Sequence, residues 1–173
     1  RVAFLAQAWG TPAYAAAQFE PGGGAEIDAA GYSDQAIDLD GEGLYDLLRV
    51  TSTISVTTAG VYQLSASLKD QAGQVITSVS RDANLDVGGN VVTLDFPGGM
   101  IRRHGADGPY QVAQVSLQTQ ENDVIDQQAF AALTQPYTAT AFALPLVALA
   151  GDFHDSAVDV DGDGKKDYLE IVV

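Results

Sequence analysis

The residues best suited to chemistry are acidic, and they fall in a short loop with regular spacing. The segment DVDGDGKKDYLE, from Asp159 to Glu170, has aspartate at alternate positions, then glycine, and ends on glutamate. Hard oxygen ligands at this spacing wrap a calcium ion in a twelve-residue loop, and the glycines permit the sharp turn. The spacing therefore predicts a calcium site. The alternative is an ordinary Asp-Gly turn that binds nothing, and magnesium suits so flexible and carboxylate-rich a loop less well.

The chain contains a second copy of this loop. The stretch from Tyr32 to Val50 aligns without gaps to the stretch from Phe153 to Ile171, and eight of the 19 aligned positions are identical. Each copy has four carboxylates within nine residues. Carboxylates this close repel one another unless a cation is present. The predicted ligands of the first copy are Asp38, Asp40, Glu42, the carbonyl of Leu44, and Asp46; those of the second are Asp159, Asp161, Asp163, the carbonyl of Lys165, and Asp167.

The two copies differ at the position of the last ligand of an EF-hand loop. This position is Glu170 in one copy and Arg49 in the other, and arginine cannot bind calcium. The flanking residues also alternate like strands rather than helices. We therefore expect an EF-hand-like loop at the start of a strand, closed from elsewhere. Asp34 and Asp155, four residues upstream of each loop, are the candidates for closing it.

The repeat predicts the domain organisation. TPAYAAAQF, ending at Phe19, resembles TQPYTATAF, ending at Phe142, and each precedes a copy of the acidic segment. We expect residues 1–20 to end one repeat, residues 21–28 to be a linker, residues 29–145 to form a complete repeat, and residues 149–173 to begin another. The alternative is one domain with pseudo-symmetric calcium loops at its two ends.

Between the loops, apolar residues alternate in short runs separated by turn residues. Strands are expected at residues 48–56, 62–68, 75–80, 91–96, 110–118 and 137–142, with a short edge strand at 101–103 and a helix only at 124–133. DQAG, from Asp70 to Gly73, has the composition of a hairpin turn. This pattern favours an all-β, immunoglobulin- or fibronectin-like antiparallel β-sandwich, with a jelly roll as the nearest competitor.

Composition narrows the possible partners. The 23 acidic and 8 basic side chains give a formal net charge of −15, which disfavours nucleic acid and anionic lipid and favours divalent cations. There is no cysteine, and no apolar run is long enough to span a bilayer. The two histidines, His104 and His154, lack a nucleophile or zinc-ligand spacing, so we expect no enzyme activity.

The acidic segments resemble the calcium loops of dockerin, thrombospondin type 3 and related EF-hand-like repeats. The longer string DLDGEGLYDLLRV, followed by strands and DGPY at Asp107 to Tyr110, resembles a β-sandwich module found in tandem in secreted bacterial surface proteins and exported proteases. The resemblance implies a calcium-stiffened extracellular spacer or adhesive module.

The sequence thus predicts a non-catalytic, calcium-stabilised structural module at the bacterial cell surface. Its expected partners are calcium, adjacent repeats, or neighbouring copies joined head to tail into filaments, without nucleic acid or membrane insertion. The alternative is a carbohydrate-binding accessory module of a secreted hydrolase, with glycans as the partner. Its aromatic candidates are Trp9, Tyr14, Tyr45, Tyr110 and Tyr137, although most of them are expected to pack in a core.

Overall fold

The computed structural model describes residues 23–144 and 154–172. The first range contains seven strands, one α-helix and a single 3₁₀ turn at Ala139–Ala141. The strands and the helix are β1 (Ala25–Ile37), β2 (Leu47–Val56), β3 (Gly60–Lys69), β4 (Val75–Leu85), β5 (Gly88–Pro97), α1 (Gly98–His104), β6 (Gln111–Thr119) and β7 (Val124–Leu133). The second range contains a hairpin of β8 (His154–Val158) and β9 (Tyr168–Val172).

The first range folds into a two-sheet antiparallel sandwich. One sheet has the strand order β1-β2-β5 and the other has the order β4-β3-β6-β7. Apolar residues alternate along the central strands, so each sheet turns one face inward. The largest fully buried side chains include Leu48 and Ile54 of β2, Leu64 of β3 and Leu117 of β6. The predicted all-β sandwich is confirmed.

Side chains of β7 close one flank of the sandwich, where β1 and β7 are the edge strands. The Asp126 carboxylate accepts a hydrogen bond from the Ile27 backbone N–H at 2.8 Å, and the Gln128 amide donates to the Ile27 carbonyl at 3.2 Å. Gln128 also accepts a hydrogen bond from the Tyr32 hydroxyl. These contacts supply partners for backbone groups that an edge strand otherwise exposes.

The predicted turn at Asp70 to Gly73 is confirmed. The Gly73 N–H donates to the Asp70 carbonyl at 3.0 Å, and Gly73 has a φ of 81°, which glycine adopts readily. The Asp70 carboxylate accepts hydrogen bonds from the Gln74 N–H and from His104 Nε2, both at 2.8 Å. This aspartate therefore fastens the β3–β4 turn to the end of α1.

Three sequence predictions are wrong. Residues 124–133, expected as a helix, form strand β7, because pairing with β6 overrides the helical preference of the Ala and Gln residues. Residues 101–103, expected as an edge strand, lie in α1, which ends at Gly105 with a left-handed φ of 80°. Residues 137–142, expected as a strand, contain the 3₁₀ turn and a single bridge between Tyr45 and Phe142.

One of the proposed domain boundaries falls within the described residues. β1 begins at Ala25, whose backbone partner in β2 is Val56, so the sandwich starts inside the segment assigned to a linker. Residues 1–22 and 145–153 lie outside the described residues. In the part of the chain that the structure describes, no helix combines the length and the apolar character needed to cross a membrane.

Candidate metal centre

Each acidic segment forms the turn of a hairpin. The residues between β1 and β2 are 38–46, here called loop 1, and those between β8 and β9 are 159–167, here called loop 2. The strands that enter and leave are in matching register, since Ile37 pairs with Leu47 and Val158 pairs with Tyr168. The prediction that strands flank both loops is confirmed.

The first aspartate of each loop organises the backbone. In loop 1 the Asp38 carboxylate accepts hydrogen bonds from the N–H groups of Gly41 at 2.7 Å and Gly43 at 2.8 Å. In loop 2 the Asp159 carboxylate accepts from Gly162 and Gly164 at 2.7 and 3.0 Å. All four glycines have φ between 77° and 91°, a region that other residues rarely adopt. The glycines therefore let the chain curl around the carboxylate.

The last aspartate fastens each loop to the hairpin. The Asp46 carboxylate accepts a hydrogen bond from the Leu39 N–H at 2.7 Å, and the Asp46 N–H donates to the Ile37 carbonyl at 2.8 Å. In loop 2, Asp167 makes the corresponding contacts with the Val160 N–H and the Val158 carbonyl, both at 2.8 Å. The two loops thus share these hydrogen bonds of their first and last aspartates although they differ in sequence.

Three carboxylates converge in each loop. One oxygen of each of Asp38, Asp40 and Asp46 lies within 4.8 Å of the others, and the same holds for Asp159, Asp161 and Asp167. Two oxygens bound to one calcium ion lie at most about 5 Å apart, because each calcium–oxygen distance is about 2.3–2.6 Å. The spacing and the all-oxygen donor set therefore fit a hard divalent cation such as calcium.

The remaining predicted ligands of the loops stand apart from these groups. Glu42 and Asp163 are exposed and belong to neither cluster of three. The Asp163 carboxylate instead accepts a hydrogen bond from the N–H of Lys165 at 2.8 Å. The carbonyl roles of Leu44 and Lys165 stay predictions.

The two upstream aspartates do not join the clusters. The Asp34 carboxylate accepts a hydrogen bond from the Tyr137 hydroxyl at 2.8 Å and from the Gln135 N–H at 3.2 Å. It therefore ties β1 to the segment after β7 rather than closing loop 1. Asp155 is exposed on β8 opposite Ile171 and lies outside the cluster of loop 2.

Backbone donors shape the electrostatics of loop 1. The N–H groups of Gly43 and Gly41 hydrogen-bond the charged form of Asp38 and so lower the pKa of its carboxyl below the usual value. A carboxylate that stays ionised in mildly acidic solution is ready to bind a cation.

Loop 1 contacts the segment after β7 next to its last predicted ligand, Asp46. The Tyr45 N–H donates to the Ala141 carbonyl at 2.8 Å, and the Tyr45 carbonyl accepts from the Ala143 N–H at 2.9 Å. The Tyr45 ring packs edge-on against Tyr137 and Phe142, with ring centroids 6.4 and 5.7 Å away. We call these contacts of Tyr45 the Tyr45 clamp. They hold residues 137–143, the segment after β7, against loop 1.

Helix α1 begins against the same part of loop 1. The Gly98 N–H donates to the Asp46 carbonyl at 2.6 Å. A Cβ atom at Gly98 would lie 2.5 Å from the Tyr45 carbonyl oxygen, so a larger residue does not fit. Sequence reasoning missed both the Tyr45 clamp and Gly98. The available signals were the aromatic residue beside the last predicted acidic ligand and the Pro-Gly-Gly string that ends β5 and begins α1.

The family of the chain follows from its central region. Residues 34–139, which span loop 1 and the sandwich from β1 to the 3₁₀ turn, match the family described as "Domain of unknown function (DUF4785) C-terminal domain". The chain belongs to this family. In this DUF4785 C-terminal domain, the family match covers the cluster of loop 1 and ends before loop 2.

Similar solved structures were found at low identity. They include a calcium-binding mutant of Bacteroides uniformis beta-glucuronidase 2 (11% identity, TM-score 0.44) and a beta-galactosidase from Bacteroides fragilis (18%, 0.37). A third is beta-glucosidase 3B from Thermotoga neapolitana in complex with glycerol (18%, 0.29). They cover 62–63% of this chain, which in turn spans only 15–16% of theirs. No curated protein matches.

Most of the aromatic candidates for a sugar-binding face lie inside the sandwich or against it. Tyr110 is fully buried, and its hydroxyl donates to the Ala106 carbonyl at 3.0 Å. Tyr45 and Tyr137 are half-buried and pack with Phe142. The expectation of core packing is confirmed for these three tyrosines. Trp9 and Tyr14 lie outside the described residues.

Proposed function

We propose that this chain is a non-catalytic, calcium-stabilised structural module of a secreted tandem-repeat protein. The observation that carries the proposal is the convergence of three carboxylates in each of two loops with the same backbone hydrogen bonds. Clustered carboxylates without a cation destabilise the folded state through repulsion. A calcium ion in each loop removes that cost and adds the free energy of binding to the free energy of folding.

The ion in loop 1 acts on the joint between units. Asp46 is a candidate ligand, and the adjacent Tyr45 holds Ala141 and Ala143 through its backbone. Fixing Asp46 therefore also fixes the segment that contains Ala141 and Ala143. A calcium-rich extracellular medium, as at a bacterial cell surface, keeps such loops occupied, and the net charge of −15 suits a cation-binding protein. Adjacent repeats, or neighbouring copies joined head to tail, are the proposed partners.

A non-catalytic role agrees with the contacts of His104. Its Nε2 atom lies 2.8 Å from the Asp70 carboxylate, and the pair joins α1 to the β3–β4 turn. Each partner of this pair thus has a structural task. Incubating the purified chain with ester, peptide and glycoside substrates should give no turnover above the uncatalysed rate.

Calorimetric titration of chelator-stripped protein with calcium tests the calcium proposal. We expect two binding events and a clear rise in melting temperature when calcium is present. The matched control titrates magnesium, which should bind more weakly because it demands near-ideal octahedral geometry. An absence of both heat and melting shift would contradict the calcium role. Retention on insoluble polysaccharide in the same preparation would favour an accessory module of a hydrolase.

A further inference from the structure

The second hairpin exposes a residue that its counterpart buries. Leu169 on β9 corresponds to Leu48 on β2, and both follow the loop at the same position. Leu48 is 0% exposed in the sandwich core, whereas Leu169 is 58% exposed. β2 lies between β1 and β5, while β9 pairs only with β8 among residues 23–144 and 154–172. β9 therefore offers an open strand edge and an exposed apolar side chain to which a further strand can pair and pack.

A charged pair marks the place where β2 meets β5. Arg49 lies directly opposite Asp95 in the register of the two strands. The Arg49 Nε and Nη2 atoms donate to the two Asp95 carboxylate oxygens, each at 2.7 Å. The Arg49 guanidinium, with a smaller contribution from Arg81, lowers the pKa of Asp95 below its usual value. Such a bidentate pair fixes the relative orientation of the two side chains in addition to pairing their charges.

The second hairpin carries the opposite charge at this position. Arg49 pairs with Gln35 across the first hairpin, and Glu170 pairs with Ser156 across the second. If β9 lay beside a strand like β5, Glu170 would face the carboxylate of Asp95. Like charges directly opposite one another destabilise an antiparallel pair. The leucines at the neighbouring position are identical, so the charge is what distinguishes the two hairpins there.

We propose that this position selects the strand with which each hairpin pairs. Arg49 selects the Asp95-bearing strand of its own sandwich. Glu170 opposes pairing of β9 with such a strand, because its carboxylate would face that of Asp95. Similar neighbouring units can exchange elements as they fold, and a charge that opposes the wrong pairing suppresses such exchange. The inference concerns strand pairing and does not rest on calcium binding.

The first test changes only the second hairpin. The full chain is unfolded in denaturant, refolded at high concentration, and analysed by sedimentation velocity with calcium and with chelator. Glu170→Arg makes β9 resemble β2 at this position, so hairpin exchange between copies should raise the oligomer fraction at least about threefold over Glu170→Gln, given typical energies of cross-strand pairs. Added salt should reduce this excess. Equal oligomer fractions for the two variants would overturn the proposal.

The second test changes the acceptor strand. Asp95→Lys places a positive charge opposite Arg49 and makes β5 a match for Glu170 of another copy. This variant should form more oligomer than the double variant Asp95→Lys/Glu170→Gln, which keeps the weakened sandwich but lacks the attracting carboxylate. Circular dichroism establishes that both variants fold. Indistinguishable sedimentation profiles of the two folded variants would overturn the proposal as well.

Discussion

The β1–β2 hairpin and the β8–β9 hairpin share a loop but differ in what surrounds them. Their loops have matching hydrogen bonds, glycine conformations and carboxylate clusters. β2, however, is the central strand of a three-stranded sheet and contributes Leu48 and Val50 to the core. Residues 159–170, in contrast, are mostly exposed. The comparison shows that loop geometry is a local property of the acidic sequence, whereas burial depends on the rest of the unit.

The largest expected difference between the hairpins concerns the two leucines. Leu48→Ala should lower the free energy of unfolding by about 3 kcal/mol, because it removes a fully buried side chain and leaves a cavity. Leu169→Ala should change it by less than about 0.5 kcal/mol, since that side chain is mostly exposed. Urea denaturation measures both. A large loss for Leu169→Ala would mean that β9 is packed against a partner.

Calcium should separate the loops by their connection to the sandwich. With calcium at about a hundred times the dissociation constant, binding adds about 2.7 kcal/mol to the free energy of unfolding. Asp38→Asn should abolish the calcium-dependent shift of the main melting transition, because loop 1 is joined to the core by the Tyr45 clamp. Asp159→Asn should remove one binding event in calorimetry and leave that shift in place. The reverse result would place the stabilising ion in loop 2.

A smaller effect is expected from the upstream aspartates. Asp34→Ala should lower the free energy of unfolding by about 1.5 kcal/mol, since it leaves the Tyr137 hydroxyl and the Gln135 N–H without their acceptor. The free energy of unfolding of Asp155→Ala should lie within about 0.5 kcal/mol of that of the parent protein. Tyr137→Phe removes one of the same hydrogen bonds. The double variant Asp34→Ala/Tyr137→Phe should therefore lose less unfolding free energy than the sum of the losses in the two single variants, as measured by urea denaturation. Full additivity would contradict this coupling.

The smallest effect near neutral pH is expected from two buried or half-buried tyrosines of the sandwich, Tyr110 and Tyr137, and it should emerge only in alkaline solution. Burial, with smaller contributions from Asp107 at Tyr110 and Asp34 at Tyr137, raises the pKa of both tyrosines from 10.0 to about 12. The folded state therefore favours the neutral phenols. The resulting stability is fully present below pH 10 and falls as the pH rises towards about 12. Denaturant midpoints across this range should fall less steeply for Tyr137→Phe. An identical slope would remove Tyr137 from this account.

The sequence predicted the candidate site more fully than its surroundings. The acidic spacing located both loops, and the alternation of apolar residues located most strands, because these signals are local. The hydrogen bond from Tyr137 to Asp34 was not predictable in the same way, since the two residues are about a hundred positions apart in the chain. The residues of β7 were misjudged because Ala and Gln favour helices in isolation and only the long-range pairing with β6 makes a strand. Helix α1 was missed although Pro97 before it and Gly105 after it are common helix boundaries.

The Tyr45 clamp has a mechanical consequence. A pull applied at Leu144 would reach Ala143 first, whose N–H is bonded to the Tyr45 carbonyl. The next hydrogen bond inward joins the Ala141 carbonyl to the N–H of the same residue, Tyr45. Tyr45 transmits the pull to loop 1 and then to β2, in the middle of its sheet. The acidic loop thus lies on the line of force through the module.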